Sequence, residues 1–200
     1  MMAQQSRFTT QTSKPTVVTG PASEPVTLAE AKRQLFLPES DTSNDQELVS
    51  RIQAAREQWE HDTDTYLLTQ TLAVTADAFA GREIILPGRP IQSVSFVKYY
   101  DDTDTLQTLS TSLYTVDFKE RAVRLKWNVT WPTTEIRWDA VQVQFVAGNT
   151  SLSAVPAIAK QAMLLLITYY HFGNRGDNDR PNDMRAYEAL VRRFMRSTYP

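Results

Sequence analysis

The side chains that could carry chemistry are few and scattered. The chain has 2 histidines, His61 and His171, each at the end of a stretch with helical periodicity. A protonated imidazole there complements the helix dipole, so both read as helix-end residues. With 0 cysteines, thiol catalysis, disulfides and cysteine-ligated zinc are removed. No Gly-x-Ser-x-Gly elbow supplies a nucleophile. The 6 glycines form neither a dinucleotide fingerprint nor a phosphate loop. Asp101, Asp102 and Asp104 fall in one run and could face a divalent cation. Such a cation needs several converging oxygens, and one short loop supplies few. The run from Asp41 to Asp45 lacks the glycine and terminal glutamate of an EF-hand loop. Both runs read as turn and cap residues. A small metal-dependent enzyme using the 101–104 loop is the one catalytic alternative left. The expectation is no catalytic residue, no cofactor and no metal. Arg175-Gly176-Asp177 and the sequon Asn128-Val129-Thr130 match known tripeptides in form only.

Two groups of residues suit contact rather than catalysis. Arg192, Arg193 and Arg196 form a basic patch near the chain end, with Tyr187, Phe194 and Tyr199 close by. The patch reads either as a solvated helix face that complements the dipole or as a contact for an acidic partner or passing DNA. Arg192, Arg193, Arg196 and Tyr199 are therefore candidate partner contacts. Trp127, Trp131 and Trp138 cluster after the last hairpin. Tryptophan is usually core, but it is enriched at interface hot spots. A small sheet cannot easily bury three from one loop region, so these three are candidate subunit contacts.

The elements that must position these residues follow from periodicity. Thr27 and Glu30 have capping-box spacing, which predicts a short helix over 27–36 that stops at Leu37-Pro38. Asn44 and Glu47 repeat that spacing ahead of a helix reaching about His61. Leu48, Ile52, Ala55 and Trp59 form its apolar stripe, with Glu47, Arg51, Glu57 and Glu60 expected on the opposite, solvated face. From Thr69 the period becomes two. Strands are expected around 72–76, 84–86, 94–100, 113–118, 122–127 and 141–147, with Gly148 ending the last. Short strands at this spacing suggest an antiparallel sheet, small sandwich or barrel. Pro156 fits the first turn of a helix over 155–172, apolar on nearly every face and hence buried. A polar loop over 173–183 leads to a last helix over 184–195.

The chain organisation expected is a 1–24 extended arm, N-terminal helices over 25–68, a β-rich insertion over 69–148, and C-terminal helices and tail over 149–200. Residues 25–200 are expected to form one structural unit. The fold class is α+β, a small helical bundle carrying an antiparallel insertion. The arm is rich in Gln, Ser and Thr and cannot bury enough surface alone to offset its ordering entropy. It is expected to order against a neighbouring subunit.

The 200 residues, 42% hydrophobic and 22% charged, are ordinary for a globular protein. A formal net charge of -2 gives no global attraction to nucleic acid or to an acidic membrane. The first 20 residues lack the apolar core of a signal peptide. The longest apolar run, 162–167, is far short of the roughly 20 residues that span a bilayer. A cytoplasmic protein, or one built into a particle there, is expected, with no membrane partner.

Several short motifs follow one another in order along the chain. They are the opening Pro25-Val26-Thr27-Leu28-Ala29-Glu30-Ala31-Lys32, the helix through Trp59, and Leu67-Leu68-Thr69-Gln70-Thr71. Next come Leu86-Pro87-x-x-Pro90-Ile91-x-Ser93-Val94, Tyr114-Thr115-Val116-Asp117, Trp131-Pro132 and Val143-x-Phe145-Val146-Ala147-Gly148. Val155-Pro156 then leads into the helix through Tyr170. In order and spacing, over residues 25–175, the chain resembles the head–tail connector (adaptor, head-completion) proteins of tailed bacteriophages. The resemblance implies a structural protein of the virion neck. It implies a homo-oligomeric ring, expected to be twelvefold, beneath the portal protein. The ring would extend the DNA channel, pass genomic DNA without sequence-specific binding, and dock the tail or next neck protein. The long N-terminal arm and the Arg-rich end depart from the pattern. The alternative is another neck or tail-completion protein without portal contact.

Overall fold

A computed structural model describes residues 10–173 and 181–198. Among these residues, eight strands and four α-helices follow in the order β1 (Thr16–Thr19), α1 (Leu28–Gln34), α2 (Asp45–Thr63), β2 (Gln70–Ala76), β3 (Glu83–Ile85), β4 (Ile91–Tyr100), β5 (Leu106–Thr108), β6 (Tyr114–Asp117), β7 (Ala122–Leu125), β8 (Val141–Ala147), α3 (Ala157–Gly173) and α4 (Pro181–Thr198). The class is α+β, with the strand-rich segment inserted between the N-terminal and C-terminal helices. The described residues divide into two compact units, 10–20 with 69–148, and 21–68 with 149–173 and 181–198.

The helical unit starts where local sequence says it should. The Thr27 hydroxyl accepts the Glu30 N–H at 3.2 Å, and the Glu30 carboxylate accepts the Thr27 N–H at 2.7 Å. That closed box satisfies two orphan donors of α1. Leu48, Ile52, Ala55 and Trp59 of α2 are buried with Ala159, Ala162, Met163, Leu166 and Ile167 of α3. Tyr187 completes this core from α4, while Met184, Leu190, Val191 and Phe194 pack partly buried against it. The Trp59 ring lies 5.2 Å from Phe194 and 6.5 Å from Tyr187, tilted and edge-on respectively. Fully burying a side chain of this kind contributes roughly 1.5–3 kcal/mol.

Three local expectations are corrected. Asn44 stands at the N-cap of α2, but its side chain makes no capping bond. It donates to Ser43 Oγ, while Glu47 pairs with Arg51. Glu60 and Arg51 do not face solvent. Glu60 is buried, bonded to Arg56 at 2.8 Å, and accepts the Leu67 N–H at 2.9 Å. Arg51 donates to Nδ1 of buried His171. The His171 Nδ1 accepts in that bond, because a guanidinium can only donate. Finally, α4 begins at Pro181, inside the segment expected to be loop. Proline is well suited to a first helical position.

In the strand-rich unit, one antiparallel sheet has five strands ordered β1-β2-β8-β4-β5, and a second has three ordered β3-β7-β6. Residues in β2 and β8 alternate strictly between buried and half-buried. Leu72, Val74, Val143 and Phe145 fill the buried side. Gly148 ends β8 at φ 105°, a backbone that favours glycine. Register slips at Ile91/Ser93 and Val94/Phe96 put two irregularities in β4.

The expected arm divides. Its residues 16–19 form β1, paired with β2 of the same chain. Thr10 is buried, and its hydroxyl exchanges hydrogen bonds with the N–H and C=O of Ala80 at 2.8 and 2.9 Å. Glu24 instead joins the helical unit through Arg56 at 2.9 Å.

Candidate functional site

Two of the three aspartates that could hold a cation are already engaged, Asp101 within its own loop and Asp104 by Arg137. Asp101 Oδ1 accepts the N–H groups of Thr103 and Thr105 and the Thr103 hydroxyl. Its Oδ2 accepts from Gln107 at 2.8 Å. The Thr103 and Gln107 side chains and these backbone donors hold the Asp101 carboxyl down at about 2. Asp104 pairs with Arg137. Among the described residues, no three His, Asp or Glu side chains gather as a cation site. Asp41 likewise serves Ser43 through its N–H and hydroxyl.

The three candidate tryptophans separate. Trp131 stacks on Phe79 with ring centroids 4.6 Å apart and planes nearly parallel, and its indole N–H donates to the Gly81 carbonyl at 3.1 Å. Phe79 in turn contacts Tyr99 of β4. Trp131 is thus seated on its own unit. Trp127 and Trp138 are 87% and 85% exposed.

The loop carrying Trp138 inverts the usual pattern. The Arg137 guanidinium lies 3.7 Å over the Tyr100 ring and pairs with Asp104. The Glu135 N–H donates to the Tyr100 carbonyl at 3.0 Å. The Asp139 N–H donates to Asp77 Oδ1 at 3.1 Å. Polar positions fasten this segment to the sheet, and the intervening apolar ones are turned out. Ile136 is 100% exposed. A groove of about 380 Å³ runs beside it, lined by Ala78, Ile136 and Trp138 and edged by Asp77, Glu135 and Arg137. Sequence reasoning passed over Ile136. The usable signal was an isoleucine alternating with charged residues in a segment too short of partners to be a strand.

The helical unit exposes two further features. Arg192, Arg193 and Arg196 all face solvent on α4. Tyr199 lies outside the described residues, as does Arg175-Gly176-Asp177. Arg185 is also exposed and was missed. Arg185, Arg192 and Arg196 recur at seven and four residues, so they line one crest opposite the face carrying Tyr187 and Phe194. At about 1.5 Å of rise per residue they are about 10 and 6 Å apart along the axis. Arg192 makes a loose pair with Glu188 at 3.5 Å, which in so exposed a setting contributes little.

The second feature is Phe36. It follows α1 at φ 57° and is 95% exposed. The Phe36 N–H donates to the Arg33 carbonyl at 3.2 Å and the Leu37 N–H to the Lys32 carbonyl at 2.9 Å. This is the paired ending in which the left-handed residue is usually glycine.

No helix among the described residues is long and apolar enough to cross a membrane. No protein-family model matches the chain, and no curated protein matches it. Solved structures do. A chain from the virion of a native gene transfer agent particle matches with a TM-score of 0.71 at 21% identity, over 90% of this chain and 94% of that one. A chain from the neck of the empty particle, computed with C6 symmetry, matches at 0.71 and 22% identity over the same shares. One from the neck of the native particle, computed with C12 symmetry, matches at 0.68 and 22% over the same shares. At this level of identity the shared property is the fold, over nearly the whole length of both chains.

Proposed function

We propose that this protein is a structural component of the neck of a tailed, phage-like particle, where it forms a ring beneath the portal protein. The observation that carries the reading is the fold shared with chains of a gene transfer agent neck over 90% of this chain and 94% of theirs. The C6 and C12 symmetries of those necks support a ring, and twelve copies per ring is the number proposed. The ring would continue the DNA channel without reading sequence and would offer a platform to the tail or the next neck protein. Repeated head-to-tail contacts close such a ring.

In this reading Trp127 and Trp138 contribute to contacts between neighbouring subunits. Large apolar side chains held in solvent favour burial against another chain. Trp131 supports that region from within by its stack on Phe79. Arg192, Arg193 and Arg196, with Tyr199, are proposed to meet the portal, through an acidic surface there. Electron microscopy of particles made without this protein tests the reading. Filled heads separated from finished tails support it; intact tailed particles contradict it.

A further inference from the structure

Two apolar features stand exposed among the described residues, and they are complementary in kind. The first is a knob. Phe36 occupies a left-handed backbone position that favours glycine, with φ 57°, and 95% of it faces solvent. For a bulky residue that conformation is a genuine outlier, and an observed outlier of this kind points to function. The turn beneath Phe36 is rigid. Buried Lys32 donates to the carbonyls of Glu39 and Asp41 at 3.2 and 2.7 Å and pairs with Asp45 at 2.6 Å. A rigid mount removes much of the ordering cost that an aromatic anchor otherwise meets on binding.

The second feature is a hole. The groove beside Ile136 and Trp138 measures about 380 Å³, and a cavity of about 150 Å³ already accepts a benzene ring. Its apolar wall is fixed in place, because Arg137 is engaged by Asp104 and Tyr100. An aromatic ring is a suitable occupant for a groove walled by an indole and an isoleucine.

We propose that Phe36 of one copy seats against Ile136 and Trp138 of the next copy. This deepens the ring reading above and rests on it. A head-to-tail contact requires two different, complementary patches on one chain. The knob and the groove are such a pair, carried on separate units of the same polypeptide. Around a ring each copy would give its Phe36 to one neighbour and receive another at its groove, leaving neither exposed.

The absence of cysteine gives a clean test. Arg33→Cys places a thiol one helical turn from Phe36, and Ala78→Cys places one in the groove wall; neither removes Phe36, Ile136 or Trp138. In assembled rings, a short bis-maleimide is expected to link the double variant into a ladder ending at ring size. Each single variant should give at most dimers. Phe36→Ala and Trp138→Ala should each weaken self-assembly at least tenfold, and the double variant should be little worse than either. Intact rings that yield no ladder would overturn this contact and leave the ring reading standing. Cross-links from the Arg33→Cys thiol to the portal or another particle protein, with none between copies, would also overturn it. Wild-type protein that forms no ring, alone or on a portal, would overturn the ring reading itself and this contact with it.

Discussion

The Nζ atom of Lys32 lies 2.6 Å from Oδ1 of Asp45, with only 5% of the lysine side chain exposed. This contact joins the end of α1 to the first residue of α2. The same ammonium reaches the carbonyls of Glu39 and Asp41, so one buried cation organises the whole connection. Removing one member of a buried pair typically costs about 3–5 kcal/mol. Asp45 retains 29% exposure, which lowers the expectation for Lys32→Met to about 2–3 kcal/mol. Urea unfolding of the variant measures this directly. A loss under about 0.5 kcal/mol, the range of ordinary surface substitutions, would show that the loop holds itself.

Phe36→Gly should stabilise the protein. A left-handed backbone costs a side-chain-bearing residue about 1–2 kcal/mol. Glycine gives back about 0.5–1 kcal/mol through the freedom of its unfolded chain. The expected net gain is about 0.5–1 kcal/mol, a rise of roughly 1–4 °C in Tm for a chain of this size. Calorimetry on unassembled protein reads it. A lower Tm would mean that the ring stabilises the monomer after all.

Arg56 is buried among Glu24, Glu57 and Glu60. Arg56→Met leaves Glu60 buried without its guanidinium and should cost about 3 kcal/mol. Glu60→Gln keeps an oxygen for the Leu67 N–H and should cost less. Equal losses in denaturant titrations would contradict this order.

Alkaline pH should unfold the helical unit. Burial pushes the Tyr66 hydroxyl up to about 12. Burial, then the hydrogen bond to Asp62 at 2.6 Å, pushes Tyr187 well above its ordinary value of 10.0. Both folded values exceed the unfolded ones, so the neutral phenols contribute stability that is complete below about pH 10 and is lost as pH rises beyond it. Helical circular dichroism should fall with the appearance of the phenolate absorbance that Tyr187→Phe removes. Tyr187→Phe should make that alkaline loss shallower while lowering stability near neutrality by about 1–2 kcal/mol. Phenolate from Tyr187 itself, read as the difference between wild type and Tyr187→Phe, appearing near pH 10 with helicity unchanged would contradict the burial argument.

What could be read from the sequence was local. The Thr27–Glu30 box is a bond across three residues, and both partners are visible in one glance at the chain. The stripe through Leu48, Ile52, Ala55 and Trp59 and the alternation of Val141, Val143 and Phe145 follow from the geometry of helix and strand. What could not be read depended on distant partners. Glu60 and Arg51 occupy positions on α2 that resemble solvated ones, but Leu67 and His171 recruit them inward. Thr16–Thr19 is too short to announce a strand, and only its pairing with β2 makes it one. Of the contact residues, the tryptophans were visible by type, yet type could not separate seated Trp131 from exposed Trp127 and Trp138. Phe36 followed a helix end where glycine would be usual, and only the backbone angle showed its cost.

The most direct measurement is sedimentation velocity of the purified protein titrated against the portal ring of the same particle. The account predicts a saturating ring-on-ring complex, with twelve copies of this chain per portal. Two folded components that sediment independently at every ratio would contradict it and would place this protein elsewhere in the particle or outside it.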